Sequence, residues 1–102
     1  MHVITYQALK TFFTSHPGSR QPLDAWYDRA VESRWDSILD VRRHFPHADA
    51  VRVASGRIVT VFNIGGNKYR LIAAIHYNTC RVYVLYILTH REYDLEKWKE
   101  TL

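Results

Sequence analysis

Pro46 marks a change of hydrophobic period along this chain, and no other feature constrains the fold as strongly. Before it, apolar residues recur at helical spacing. Leu9, Phe12 and Phe13 lie three and four apart or adjacent in a segment that Thr5 can cap. His16-Pro17-Gly18 stops that segment, because proline lacks an amide donor and glycine accepts positive φ. Pro22 suits the first turn of a second helix, whose Leu23, Trp26, Tyr27, Ala30 and Val31 form one apolar stripe. Asp36 can cap a short third helix bearing Ile38, Leu39 and Val41. That helix ends near Phe45, since a proline pushes the residue before it out of α geometry. After Pro46 the period drops to two, and β-branched and aromatic residues dominate.

Four strands are predicted in this second half, at 51–54, 57–63, 68–77 and 81–88. Ser55-Gly56, Gly65-Gly66-Asn67 and Asn78-Thr79 supply the turns. Val3 and Ile4 can add a short strand, and a last helix is predicted from Thr89 to about Lys99, with Tyr93, Leu95 and Trp98 as packing residues. The class is α+β: a short N-terminal strand plus a four-strand meander in one small, mostly antiparallel sheet, with helices packed on one face. On the third predicted strand, Tyr69, Leu71, Ala73, Ile75 and Tyr77 face the helices. Lys68, Arg70, Ile72, Ala74 and His76 share the other, partly open face. The fourth strand is apolar on both sides, with Tyr83, Leu85 and Ile87 against Val82, Val84, Tyr86 and Leu88, and is predicted to be central.

A length of 102 residues fits one domain, and 47% hydrophobic and 14% aromatic residues suffice for a packed core. No apolar run approaches the roughly 18–20 residues of a membrane helix. Met1-His2-Val3-Ile4-Thr5 has no basic segment leading into an apolar one, so no secretory signal is expected. Cys80 is the only cysteine, so no internal disulfide can form and a reducing cytoplasm fits best.

Charge is distributed unevenly. Residues 1–50 carry six basic and six acidic groups, whereas residues 51–91 carry Arg52, Arg57, Lys68, Arg70, Arg81 and Arg91 and no acid. Such a one-sign stretch attracts polyanions, nucleic acid foremost. Basic positions that discourage edge-to-edge strand pairing are the plainer alternative. A basic open sheet face with a few aromatics can hold single-stranded RNA through phosphate contacts and base stacking.

Two segments carry candidate chemistry. Asn63-Ile64-Gly65-Gly66-Asn67-Lys68-Tyr69-Arg70 is not a phosphate-binding glycine loop, because a strand follows it where such a loop needs a helix. It reads as a hairpin that places Asn67, Lys68 and Arg70 at a strand start, where Arg70 can hold a phosphate bidentately and Lys68 acts as a point charge. Thr89-His90-Arg91-Glu92-Tyr93-Asp94 spans the junction of strand and last helix. There His90 is the natural proton-transfer group, with Tyr93 and Arg91 beside it. Thr89 and Glu92 have the spacing of a capping box, which leaves His90 and Tyr93 unengaged. His76 is a second-rank candidate on the Lys68/Arg70 face. His2, His16, His44 and His47 lie near turns or termini and are expected to face solvent. No metal site is expected: His44 and His47 span a proline turn and lack partners. Cys80 has no base or second thiol, and Trp26, Trp35 and Trp98 read as core.

These segments, with His2-Val3-Ile4-Thr5, Ala8-Leu9, Trp35-Asp36-Ser37-Ile38-Leu39-Asp40-Val41 and Phe45-Pro46-His47-Ala48-Asp49, occur in the order found in the HigB-like toxins of the RelE superfamily, which the chain resembles over nearly its whole length. The resemblance implies a RelE-like sheet with helices on one side. It implies an endoribonuclease of a type II toxin–antitoxin system that cleaves mRNA, often on the ribosome, without metal or other cofactor, and that a HigA-like helix-turn-helix antitoxin neutralises. Onto this sequence it carries His90 as the acid or base, Asn67 and Arg70 as phosphate or base contacts, Lys68 as a supporting charge and Tyr93 as helper or stacking group, with His90, Arg70 and Tyr93 as the catalytic set. The basic-face candidates Arg57, His76 and Arg91 join Asn67 and Lys68 as RNA contacts. The alternatives left open are a non-enzymatic RNA-binding domain and a module whose sheet docks a protein.

Overall fold

The computed structural model describes residues 1–4 and 6–102; the expected cap at Thr5 lies outside the described residues. A strand β1 (His2–Ile4) leads to helices α1 (Tyr6–Ser15), α2 (Arg20–Glu32) and α3 (Ile38–His44), with a single 3-10 turn at Pro17–Ser19. Four strands follow: β2 (Asp49–Arg52), β3 (Ile58–Ile64), β4 (Tyr69–His76) and β5 (Arg81–Thr89). Two short helices, α4 (His90–Asp94) and α5 (Lys97–Thr101), close the chain. The sheet order is β1-β5-β4-β3-β2, with β1 parallel to β5 and every other pair antiparallel. The predicted α+β class, the meander and the interior place of β5 all hold.

The first face of the sheet is covered by α1, α2 and α3. Leu9, Leu23, Trp26, Ala30 and Val41 pack there against Phe62, Leu71, Ala73 and Val82. Phe62 is the hub, with the rings of Trp26, Phe45 and Trp35 at 5.4, 5.2 and 6.3 Å. Burying each such ring removes 150–250 Å² from water, about the largest contribution one side chain can make to a core this small. Val31, predicted on the α2 stripe, is exposed, because it falls at the stripe's edge beside Ala30. Leu39 on α3 is 67% exposed, because Ile38 and Val41, three residues apart, set the packed face and Leu39 points about 130° away from it. Ser37, not Asp36, caps α3: its Oγ accepts from Leu39 N at 3.3 Å, while Asp36 N donates to Asp40 Oδ2.

The second face carries its own core, in which Val53, Val59, Val61 and Ile72 meet Trp98. Strand parity on β4 therefore holds, but α4 and α5 cover part of the face expected to be open. Two departures from simple periodicity create this cover. A bulge at Ile72/Ala73 inserts one extra β5 residue, so Ala73 pairs with Val84 and Ile72 with Tyr86. Tyr86 and Leu88 thereby join Tyr83 on the second face, and Ile87 joins Val82 and Val84 on the first. The last helix, predicted as continuous, breaks at Glu96, whose φ of 58° is left-handed.

Candidate functional site

Gly65 and Gly66 have φ of 62° and 69°, a left-handed pair that only glycine adopts without strain and that folds β3 back onto β4. The register then sets Asn63 opposite Arg70, and β5 sets Leu88 on Arg70's other side. At the same end, His90 N donates to Lys68 O at 3.0 Å, which ties the start of α4 to the start of β4. Thr89 and Glu92 complete the predicted capping box: Thr89 N donates to Glu92 Oε1 at 3.0 Å, and Glu92 N donates to Thr89 Oγ1 at 3.2 Å.

Arg70 occupies the centre of this end. It is only 8% exposed, which corrects its expected place on an open face. Its Nη1 donates to Tyr69 O at 3.1 Å, and its guanidinium carbon lies 5.3 Å from the centroid of the Tyr93 ring. The Tyr93 ring in turn stacks on Trp98, 5.3 Å away at 17°, and Trp98 Nε1 donates to Tyr93 O at 3.1 Å. The result is a column of guanidinium, phenol and indole rooted in the second core. Among the described residues, no carboxylate lies within ion-pair distance of Arg70. A largely desolvated guanidinium held by a ring and a carbonyl, without a counter-charge, favours an incoming anion.

His90 is exposed beside the column, and its Nε2 lies 3.4 Å from Asp94 Oδ2, one helical turn on. A carboxylate there orients the imidazole. Lys68 and Asn67 are exposed on the turn, and Arg91 is exposed on α4. Lys99 reaches the column from below, its ammonium 5.6 Å from the Trp98 ring. Its hydrogen bond to Glu96 raises its pKa above the ordinary lysine value.

Asn67, Lys68, Arg70, His90, Arg91 and Tyr93 thus gather at one end of the sheet. Arg57 and His76 do not: both lie at the opposite end, six strand residues or roughly 20 Å from Arg70. His76 packs there against Tyr83, ring centroids 5.0 Å apart. His16, expected to face solvent, is half-buried and stacked on Phe12 at 4.2 Å. Three residues of the site escaped the sequence reading. Asn63 follows from counting the pairs back across the tight turn, and Asp94 from its four-residue spacing to His90 on a helix. Trp98 carried no site signal, because its contact with Tyr93 depends on the break at Glu96.

Fold and site together define a small α+β protein with an uncompensated arginine, a tyrosine and a histidine gathered at one sheet end. A family model described as HigB_toxin, RelE-like toxic component of a toxin-antitoxin system, matches residues 19–96, and the chain belongs to that family. Among curated proteins it is similar to the mRNA interferase toxin HigB of Escherichia coli (strain K12). The two are 29% identical over 94 residues, which cover 92% of this chain and 88% of that protein. The mRNA interferase HigB of Shigella flexneri matches to the same extent. The mRNA interferase HigB of Escherichia coli O6:H1 (strain CFT073) is 28% identical over 94 residues, 92% of this chain and 89% of that protein.

Proposed function

We propose that the chain is an mRNA interferase, an endoribonuclease that cuts mRNA by attack of a ribose 2′-hydroxyl on the adjacent phosphorus. The observation that carries this reading is the buried, uncompensated Arg70 guanidinium within a family of toxins whose relatives are named mRNA interferases. Arg70 receives the scissile phosphate and stabilises the charge that builds on its oxygens in the transition state. His90, oriented by Asp94, takes the 2′-hydroxyl proton or delivers one to the departing 5′-oxygen. The new P–O2′ bond forms as the P–O5′ bond breaks, leaving a 2′,3′-cyclic phosphate and a 5′-hydroxyl. Proton transfer and a fixed cation suffice for this displacement, so the reaction is expected to run in EDTA. Tyr93 holds Arg70 in place, while Lys68, Asn67 and Arg91 hold the strand.

The toxin acts in the cytoplasm on mRNA engaged by the ribosome, and a HigA-like helix-turn-helix antitoxin neutralises it. The test is induced expression in a bacterial host of the wild type, Arg70→Ala and His90→Ala, each first shown to accumulate folded. Growth arrest with discrete new mRNA ends, lost in Arg70→Ala and reduced about a hundredfold in His90→Ala, is the expected result. Growth arrest without cleavage, together with RNA retention by the purified protein, would instead establish a non-enzymatic RNA-binding domain.

A further inference from the structure

On the second sheet face, beside the Arg70–Tyr93–Trp98 column, lies a groove of about 280 Å³ between β5 and the α4–α5 pair. Tyr86, Leu88 and Trp98 line it, with Leu95, Glu92 and Lys97 at its margins. Its lining is mostly apolar and aromatic, and Leu95 at its mouth is 61% exposed, so a flat apolar group finds more contact there than water does. It is continuous with the column: Leu88 is the register partner of Arg70, and Trp98 is the indole on which Tyr93 stacks. Its margins carry one charge of each sign. Lys97 can meet a phosphate, and the Glu92 carboxylate, whose Oε1 accepts from Thr89 N, keeps Oε2 to accept from a donor in the groove.

We propose that this groove is a nucleobase subsite, which takes an amino-bearing base (adenine, cytosine or guanine) next to the nucleotide whose phosphate meets Arg70. The proposal rests on the RNA-cleavage reading above and adds to it the position that reads sequence. A base fits where a phosphate does not, because the lining is apolar and Glu92 repels an anion. The acceptor-only carboxylate favours bases with an exocyclic amino group over uracil, whose one donor on that edge, N3–H, lies between two carbonyl oxygens that the carboxylate opposes. Neither Glu92 nor Leu95 belongs to the proposed reaction machinery, so the groove can be altered while Arg70 and His90 stay in place.

The test measures binding of fluorescein-labelled 2′-O-methyl tetra-adenylate and tetra-uridylate, which lack the attacking hydroxyl, by fluorescence anisotropy. The wild type is expected to prefer the adenylate by about fivefold or more. Glu92→Gln keeps the capping box, since glutamine serves as well as glutamate there, but its amide can also donate to uracil, so the preference should fall towards one. Leu95→Ser, at an exposed position, should weaken the adenylate more than the uridylate. Arg70→Ala should weaken both equally and leave their ratio unchanged. A ratio that neither Glu92→Gln nor Leu95→Ser alters overturns the subsite while leaving the cleavage reading intact. If Arg70→Ala leaves both affinities unchanged, the cleavage reading itself fails, and the subsite with it. If Leu95→Ser abolishes binding of the purified antitoxin but leaves the RNA ratio alone, the groove is a protein-docking site and the proposal is wrong.

Discussion

At the scale of single residues, the arrangement around Arg70 separates two roles that the sequence left together in Tyr93. The Tyr93 ring faces the guanidinium at 5.3 Å and stacks on Trp98, so the ring is engaged on both sides. A cation–π contact of this kind contributes about 0.5–2 kcal/mol and needs only the ring. Tyr93→Phe should therefore keep RNA cleavage within about threefold of wild type, whereas Tyr93→Ala should lower it by about tenfold or more as Arg70 loses its cover. Single-turnover cleavage of one defined RNA compares the two. A large loss in Tyr93→Phe would instead make the hydroxyl a proton donor. Arg70, His90 and Tyr93 were all legible as candidates, because a glycine turn and a strand–helix junction present polar groups at predictable places. Their contact was not legible: parity puts Arg70 on the second face but says nothing of what covers that face.

The cover is a matter of elements. In a continuous helix, residues five apart differ by about 140° around the axis, so Tyr93 and Trp98 could not both turn to the sheet. The left-handed Glu96 ends α4 and restarts the chain as α5, which brings Trp98 beneath Tyr93. No proline or glycine marks this break, and a glutamate in a helical pattern gives no signal of it. The β5 bulge is silent for the same reason, since alternating apolar residues read equally well in either register. The capping box at Thr89 is different, because its two polar residues are recognisable by spacing alone. It fixes the first turn of α4, and with it the height of Tyr93 over Arg70. Ser37 caps α3 on the opposite face by the same chemistry, far from the column. Thr89→Ala and Ser37→Ala should each cost about 1 kcal/mol of stability in urea unfolding. Only Thr89→Ala should also slow RNA cleavage beyond what its unfolded fraction explains. Equal activity in the two variants would show that α4 holds Tyr93 without its cap.

Over the whole molecule, of 33 × 30 × 23 Å, the acid-free block of residues 51–91 does not form one patch. The meander divides it. Lys68, Arg70 and Arg91 lie at the end where β3 turns into β4, and Arg52, Arg57 and Arg81 lie at the other end, beside His76. Linear charge counting cannot foresee this, because each hairpin carries successive basic residues to alternate ends of the sheet. The division makes the path of the RNA testable. Every phosphate that a lysine or arginine neutralises releases counterions, and removing one such contact lowers the slope of log affinity against log salt by about one. Lys68→Gln should lower the slope for a 2′-O-methyl RNA of a dozen nucleotides. If the strand runs from the Arg70 end across the sheet, Arg57→Gln should lower it by the same amount. The two losses should then add, since sites more than about 10 Å apart act independently. Because Arg57 lies roughly 20 Å from Arg70, its loss should weaken binding without changing the rate of cleavage at saturating RNA. An unchanged slope in Arg57→Gln would confine the RNA to the column end and leave the far cluster as edge charges that keep β2 and its neighbours from pairing with another sheet.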